Sequence, residues 1–145
     1  MAKGYPDFFG FSIFPQFGDY KIEINDPFLV GMDAWGTIFE LTAKGKLYSG
    51  FLHITTAHSL TAIQIRFTID GEVWTSETLP GMLTRGLSDT YAYPAVLALY
   101  NVEIGEYAWV FQQDITFASQ FKVELHSSVA GAVPGWGHLH WAEVI

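Results

Sequence analysis

Residues 60–74, LTAIQIRFTIDGEVW, decide the fold. Ile63, Ile65, Phe67 and Ile69 occupy the odd positions, and Gln64, Arg66, Thr68 and Asp70 the even ones. Only an extended chain sends successive side chains to opposite faces, so this alternation predicts a strand with one buried and one wetted face. Thr61 interrupts the apolar row only at its start. Asp70-Gly71 supplies the two positive-φ residues that a tight hairpin demands, and EVWTSETL is the return strand.

The same period recurs outward from this hairpin. In QFKVELHS, Phe121, Val123 and Leu125 point one way and Lys122, Glu124 and His126 the other. In YKIEIND, Tyr20, Ile22 and Ile24 share a face, which by the same logic is expected to be the buried one. GTIFELTA and KLYSGFLHITT flank a turn at Lys44-Gly45-Lys46, VLALYNVEI and EYAWVFQQ flank a hairpin at Gly105, and HLHWAEVI is the last strand. No window carries a capped helical period. Residues 79–95, too long for a hairpin turn, predict a crossing between two sheets or one short helix. The expectation is all-β: an antiparallel β-sandwich, jelly-roll-like, of about eight or nine strands.

The chain has 145 residues, enough for one domain with a full two-layer core. Residues 19–145 form that predicted domain, and residues 1–18 an extended N-terminal arm or first strand. The arm carries Phe8, Phe9, Phe11, Phe14 and Phe17 among glycines and prolines, which make regular pairing poor, and these phenylalanines pack either on the domain's own core or on a neighbouring subunit or scaffold. Charged residues make up only 15% against about 25% in ordinary domains, while 50% are hydrophobic and 17% aromatic. Such a surface predicts burial against copies of itself or a larger body. The net charge of −8, without a basic run, argues against nucleic acid and against anionic membrane surfaces. No apolar run approaches the roughly eighteen residues of a membrane-spanning helix, and the N-terminus does not read as a signal peptide. Without cysteine there is no disulfide, thiol nucleophile or thiolate metal site.

Catalytic constellations are hard to find. His138 and His140, two apart, project to one face of a strand and are the candidate metal ligands. A cupin-type site would add a glutamate on that face and a further histidine after another hairpin. Glu143 lies at odd offsets from both, hence on the opposite face, and no later histidine follows. The expectation is therefore no metal and no cofactor. His58-Ser59 lacks the sharp nucleophile elbow of a Ser-His-Asp device, and Gly135-Trp136-Gly137 lacks the lysine and helix of a phosphate loop. No catalytic residue is assigned. In EYAWVFQQ, Tyr107, Trp109 and Phe111 share one face while Ala108 and Val110 share the other, a strand apolar on both sides. Those three aromatics and the arm's phenylalanines are the candidate inter-subunit contacts. Trp35 and Trp136 are the candidates for stacking on a sugar ring.

LTAIQIRFTIDGEVW, then a long loop with YAYP, an aromatic strand, and QFKVELHSS together resemble the small jelly-roll structural proteins of tailed-phage virions, over residues 34–145. These include head-decoration (auxiliary capsid) proteins and tail or fibre modules. The resemblance implies a non-enzymatic protein, produced in the host cytoplasm and resident on the virion, most often the capsid surface. It implies a homotrimer whose partners are itself and a major capsid or other virion protein. Two alternatives accompany it: a carbohydrate- or receptor-binding β-sandwich module, and a cupin-like metal-binding protein.

Overall fold

A computed structural model of the chain describes residues 17–31, 33–56, 63–75, 79, 94–128 and 132–144. Ten strands run through them in chain order: β1 (Phe17–Val30), β2 (Ala34–Leu41), β3 (Gly45–Thr55), β4 (Ile63–Ile69), β5 (Glu72–Thr75), β6 (Ala95–Asn101), β7 (Glu106–Phe111), β8 (Thr116–Phe117), β9 (Phe121–Ser127) and β10 (Val133–Val144). They form two antiparallel sheets packed as a sandwich. The first has the order β1-β10-β3-β7-β6, with β8 paired to β3, and the second the order β2-β9-β4-β5. The expected count of eight or nine is exceeded by short pieces, β5 and the two-residue β8.

The pairing is nested. β1 pairs with β10, β2 with β9, β3 with β7, and β4 with β5, as in one long antiparallel hairpin. β10 then pairs with β3 and β9 with β4, which rolls that hairpin into two layers. This is the jelly-roll order anticipated from the alternating strands, with β6 added at one edge.

Burial follows the alternation in β4 and β9. Ile63, Ile65 and Phe67, with Phe121, Val123 and Leu125, are fully buried. Opposite them, Leu52 and Ile54 of β3 and Trp109 and Phe111 of β7 fill the other half of the core. The sheets meet edge to face where Phe67 touches Phe111, ring centroids 5.2 Å apart at 87°.

The two expected hairpins are present. Asp70 (φ 51°) and Gly71 (φ 86°) turn β4 into β5, and Gly105 (φ 68°) closes the turn from β6 to β7. The Lys44–Lys46 turn differs from expectation: β2 and β3 lie in different sheets, and Gly45 is already in β3. The segment before β6 does cross between sheets, since β5 and β6 lie in different layers; residues 80–93 fall outside the described residues. β1 begins at Phe17, so Phe17 and Gly18 belong to the sheet, whereas Phe8, Phe9, Phe11 and Phe14 lie outside the described residues.

Two local devices hold the sandwich. In Gly135-Trp136-Gly137 both glycines face inward. A Cβ at Gly135 would collide with the His53 carbonyl and the Phe28 ring, and one at Gly137 would come within 2.9 Å of the Phe39 ring. Gly135→Ala must push β3 or Phe28 aside and is expected to lower stability by about 1–3 kcal/mol, measurable by urea unfolding.

At the β4–β5 turn, the Asp70 carboxylate accepts backbone hydrogen bonds from Ala118 (2.8 Å), Ser119 (2.7 Å) and Gln120 (3.0 Å), and one from the Ser119 hydroxyl (3.1 Å). These donors hold the carboxyl down at about 2. Because the folded value lies below the unfolded 3.8, the stabilisation is complete above that pH and disappears as the pH falls through about 2. Asp70→Asn keeps a residue tolerant of the left-handed turn but removes the charge. It should unfold at lower urea than the parent at neutral pH, with the gap closing between pH 4 and pH 2.

Candidate interaction face

The outer surface of the β1-β10-β3-β7-β6 sheet is built from residues whose alternation sends them away from the core. β1 is the inverted case. Tyr20, Ile22 and Ile24, expected inside, are 55%, 51% and 62% exposed, while Lys21, Glu23 and Asn25 turn toward the sandwich. The physical reason lies at the rim of the two layers. Lys21 Nζ pairs with Glu143 (2.7 Å) and sits 4.8 Å over the Trp141 ring. The Trp141 indole donates to Glu23 (3.3 Å), and the Asn25 amide donates to the Ile38 carbonyl of β2 (2.9 Å). Every inward polar group on this stretch has a partner, so turning them inward leaves no unsatisfied charge.

Pairing then sets the outward side chains in rows. One row crosses all five strands through directly opposed residues: Ile24, His138, Phe51, Val110 and Val96. His138 stacks on Phe51 with ring centroids 5.0 Å apart. A second row holds Trp136 opposite His53, stacked at 3.9 Å and 19°, then Ala108. A third holds Ile22, His140 and Ser49. The Tyr20 hydroxyl and His140 Nδ1 share a hydrogen bond, and the Tyr48 ring lies 6.0 Å from that of Tyr20. Glu106, 3.8 Å from His53 Nε2, marks one margin, and Lys46, paired with Asp114 at 2.8 Å, marks another. Lys, Arg, Asp and Glu are absent from the directly paired residues of the three rows, and the exposed Asp26 lies in the β1 irregularity beside Trp136.

The opposite sheet presents a different surface. Glu124, on the wet side of β9, is only 6% exposed, and it is held by Arg66 (2.8 Å) and Lys122 (3.3 Å). The Arg66 hydrogen bond, foremost, keeps its carboxyl below the usual glutamate value against the opposing effect of burial. The Arg66 guanidinium also lies 4.0 Å over the Trp35 ring, and His126 packs 5.1 Å from Trp35. This exterior is a charged network; the β10 side is aromatic and neutral.

His138 and His140 share the outer face of β10, as their spacing requires, whereas Glu143 pairs with Lys21 beside Trp141. Among the described residues, no group of three or more His, Asp or Glu stands close enough to hold a metal ion. Trp35 and Trp136 lie on opposite exteriors, so they do not form one sugar platform; Trp136 already carries His53 on its ring and Trp35 carries Arg66. β7 is apolar on both sides as expected, but Tyr107, Trp109 and Phe111 are the side turned into the core, at most 2% exposed. They are corrected from contact candidates to core; the outward residues of β7 are Glu106, Ala108 and Val110, the last 44% exposed. Phe17 lines a recess of about 300 Å³ with Lys44, Phe117 and Val144, and the Asp70 carboxylate there is already taken up by backbone donors. His58 and Ser59 lie outside the described residues.

The residues missed from sequence are Tyr20, Ile22, Ile24 and Val110. Their spacing was visible, but the side they face is set by pairing with β10 and β7. No protein-family model matches the chain, and no curated protein matches it either. Among the described residues no helix is long and apolar enough to cross a membrane.

Arg66→Ala would strand the nearly buried Glu124 with Lys122 alone and uncover Trp35. A loss of about 2 kcal/mol is expected, and Arg66→Ala/Glu124→Gln should recover part of it in a double-mutant cycle.

Proposed function

We propose that this protein is a non-enzymatic structural component of a virion, binding and stabilising a capsid, and that the outer face of the β1-β10-β3-β7-β6 sheet is buried when it assembles. The observation that carries this reading is the row Ile24-His138-Phe51-Val110-Val96, an apolar and aromatic stripe across a whole sheet that faces away from the core. Contiguous apolar surface of this extent marks interaction sites on soluble proteins. Completing the burial of Tyr20, Ile22, Ile24 and Val110 is worth about 1 kcal/mol each. The low charge content and the jelly-roll order agree with the family resemblance, and Phe8, Phe9, Phe11 and Phe14 are proposed as a second set of contacts to the capsid.

The test has two arms. Antiserum against the purified protein should label particle heads in virion preparations from the source of the sequence; label confined to soluble protein would remove the virion assignment. Ile22→Glu/Ile24→Glu should abolish assembly while shifting the thermal midpoint by no more than a few degrees, because both side chains are more than half exposed. An assembly indifferent to both charges would place the contact elsewhere.

A further inference from the structure

We infer that the recess at the start of β1 is the seat of the Phe14 ring, which anchors the chain's own N-terminal segment to the domain that follows it. Residues 1–16 lie outside the described residues, and the last of them adjoins Phe17, which lines the recess. The inference stands apart from the virion reading and alters it in one respect: Phe14 belongs to the domain, and Phe8, Phe9 and Phe11 are left to reach a capsid. Three observations lead to it.

The first is a period in the sequence. Tyr5, Phe8, Phe11, Phe14, Phe17 and Tyr20 recur at every third residue. An α-helical period of 3.6 or a strand period of 2 scatters such a set around the chain. A polyproline II chain, with three residues per turn, gathers it on one ridge. Pro6 and Pro15 suit that conformation, and Pro15 also biases Phe14 before it toward the extended and polyproline region. Phe9 is the one phenylalanine of the segment off the ridge.

The second is where the ridge leads. Its last two members are described, and both rest on the domain. The Tyr20 ring lies 6.0 Å from that of Tyr48. Lys46 Nζ sits 5.5 Å from the Tyr48 ring and 5.9 Å from the Phe17 ring, so these four side chains form one line of contacts ending at the recess. One polyproline turn is about 9 Å. Phe14 is therefore the next ring along the line, one turn from the recess that Phe17 lines.

The third is the chemistry of the recess. Its most buried ring, Phe117, is 3% exposed and lies 5.8 Å from Phe121 and 5.9 Å from Trp141, so the recess opens directly onto the aromatic core. Phe17, Ala118 and Val144 add apolar walls around a volume of about 300 Å³. An apolar cavity of about 150 Å³ already accepts a benzene ring, so a phenylalanine side chain fits here. The Asp70 carboxylate in the lining is taken up by backbone donors, and Lys44 there offers an aromatic ring the kind of cation that Lys46 offers Phe17. Residues 8–16, FFGFSIFPQ, carry no charge, so docking this stretch buries none.

The tether selects the occupant. A ring three residues from the wall of its own seat is present there at an effective concentration in the millimolar range, which a free ligand or a second copy must exceed to displace it.

The experiment is methyl NOE spectroscopy on the full chain, comparing the parent with Phe14→Ser. The expected result is a set of NOEs from the Phe14 ring to the methyl groups of Ala118 and Val144, lost in the variant. Phe14→Ser should also lower the thermal midpoint by about 3–6 °C, whereas Phe9→Ser should leave it unchanged. Should Phe14→Ser fail to fold, Phe14→Leu removes the ring at similar volume and carries the same comparison. A folded parent with no NOE between Phe14 and these methyls overturns the inference. NOEs that survive Phe14→Ser but vanish in Phe11→Ser give the seat to another ring and overturn it as well, as does an equal fall in midpoint for Phe14→Ser and Phe9→Ser. In a mixture of isotope-labelled and unlabelled chains, NOEs that cross between the two would place a neighbouring copy's ring in the recess and overturn the anchoring within one chain. None of these spectra depends on virion labelling, so the two readings fail separately.

Discussion

The ladder that β10 makes with β1 on one side and β3 on the other is the interaction on which the rest depends. Every residue from Val133 to Val144 pairs with one neighbour or both, and among the described residues this strand alone joins β1 to the body of its sheet. Its inward side supplies Leu139 and Trp141 to the core and two glycines that admit the Phe28 and Phe39 rings. Its outward side supplies Trp136, His138 and His140 to the aromatic face. One twelve-residue strand therefore fixes both the packing and the exterior.

The sheet margins and the sheet face are treated in opposite ways. A long edge strand invites pairing with other chains unless it is blunted. β1 is blunted by bulges near Phe17–Tyr20 and Asn25–Phe28, by Pro27, which has no N–H to offer, and by the inward-pointing Lys21 and Glu23. At the other edge β6 carries a register shift between Leu97 and Leu99. On the face no such protection exists. Edge-to-edge pairing is discouraged at both margins, while the outer face carries no comparable guard.

How much of this was legible in the sequence depends on whether a feature is local or a matter of pairing. The β4–β5 hairpin was readable because Asp70-Gly71 and the Ile63–Ile69 alternation are local, and both strands of it bury their apolar side. β9 was readable for the same reason. β1 has an equally clear period, yet a period of two says only which residues share a face. Which face is inside depended on Glu143, Trp141 and Ile38 being available to receive Lys21, Glu23 and Asn25, all of them distant in the chain. Tyr107, Trp109 and Phe111 failed as contact candidates by the same ambiguity: in a strand apolar on both sides, the larger residues went to the core and Ala108 and Val110 were left outside.

The nested pairing has a kinetic consequence. The contact between Glu23 and Trp141 spans 118 residues, and the β1–β10 ladder closes the widest of the four nested loops. Long-range pairing of this kind pays its loop-closure entropy before any ladder bond is gained, so folding is slow relative to a chain of hairpins. The inner pair, β4 and β5, needs only a two-residue turn and closes the shortest of the four nested loops. During synthesis β1 emerges early and must wait with Tyr20, Ile22 and Ile24 uncovered on one side and its partner strand not yet made. Pro27 and the charges of Lys21 and Glu23, which blunt this edge in the finished protein, are already in the chain and guard it in the interval as well, when the nascent chain is most exposed to its neighbours on the same polysome.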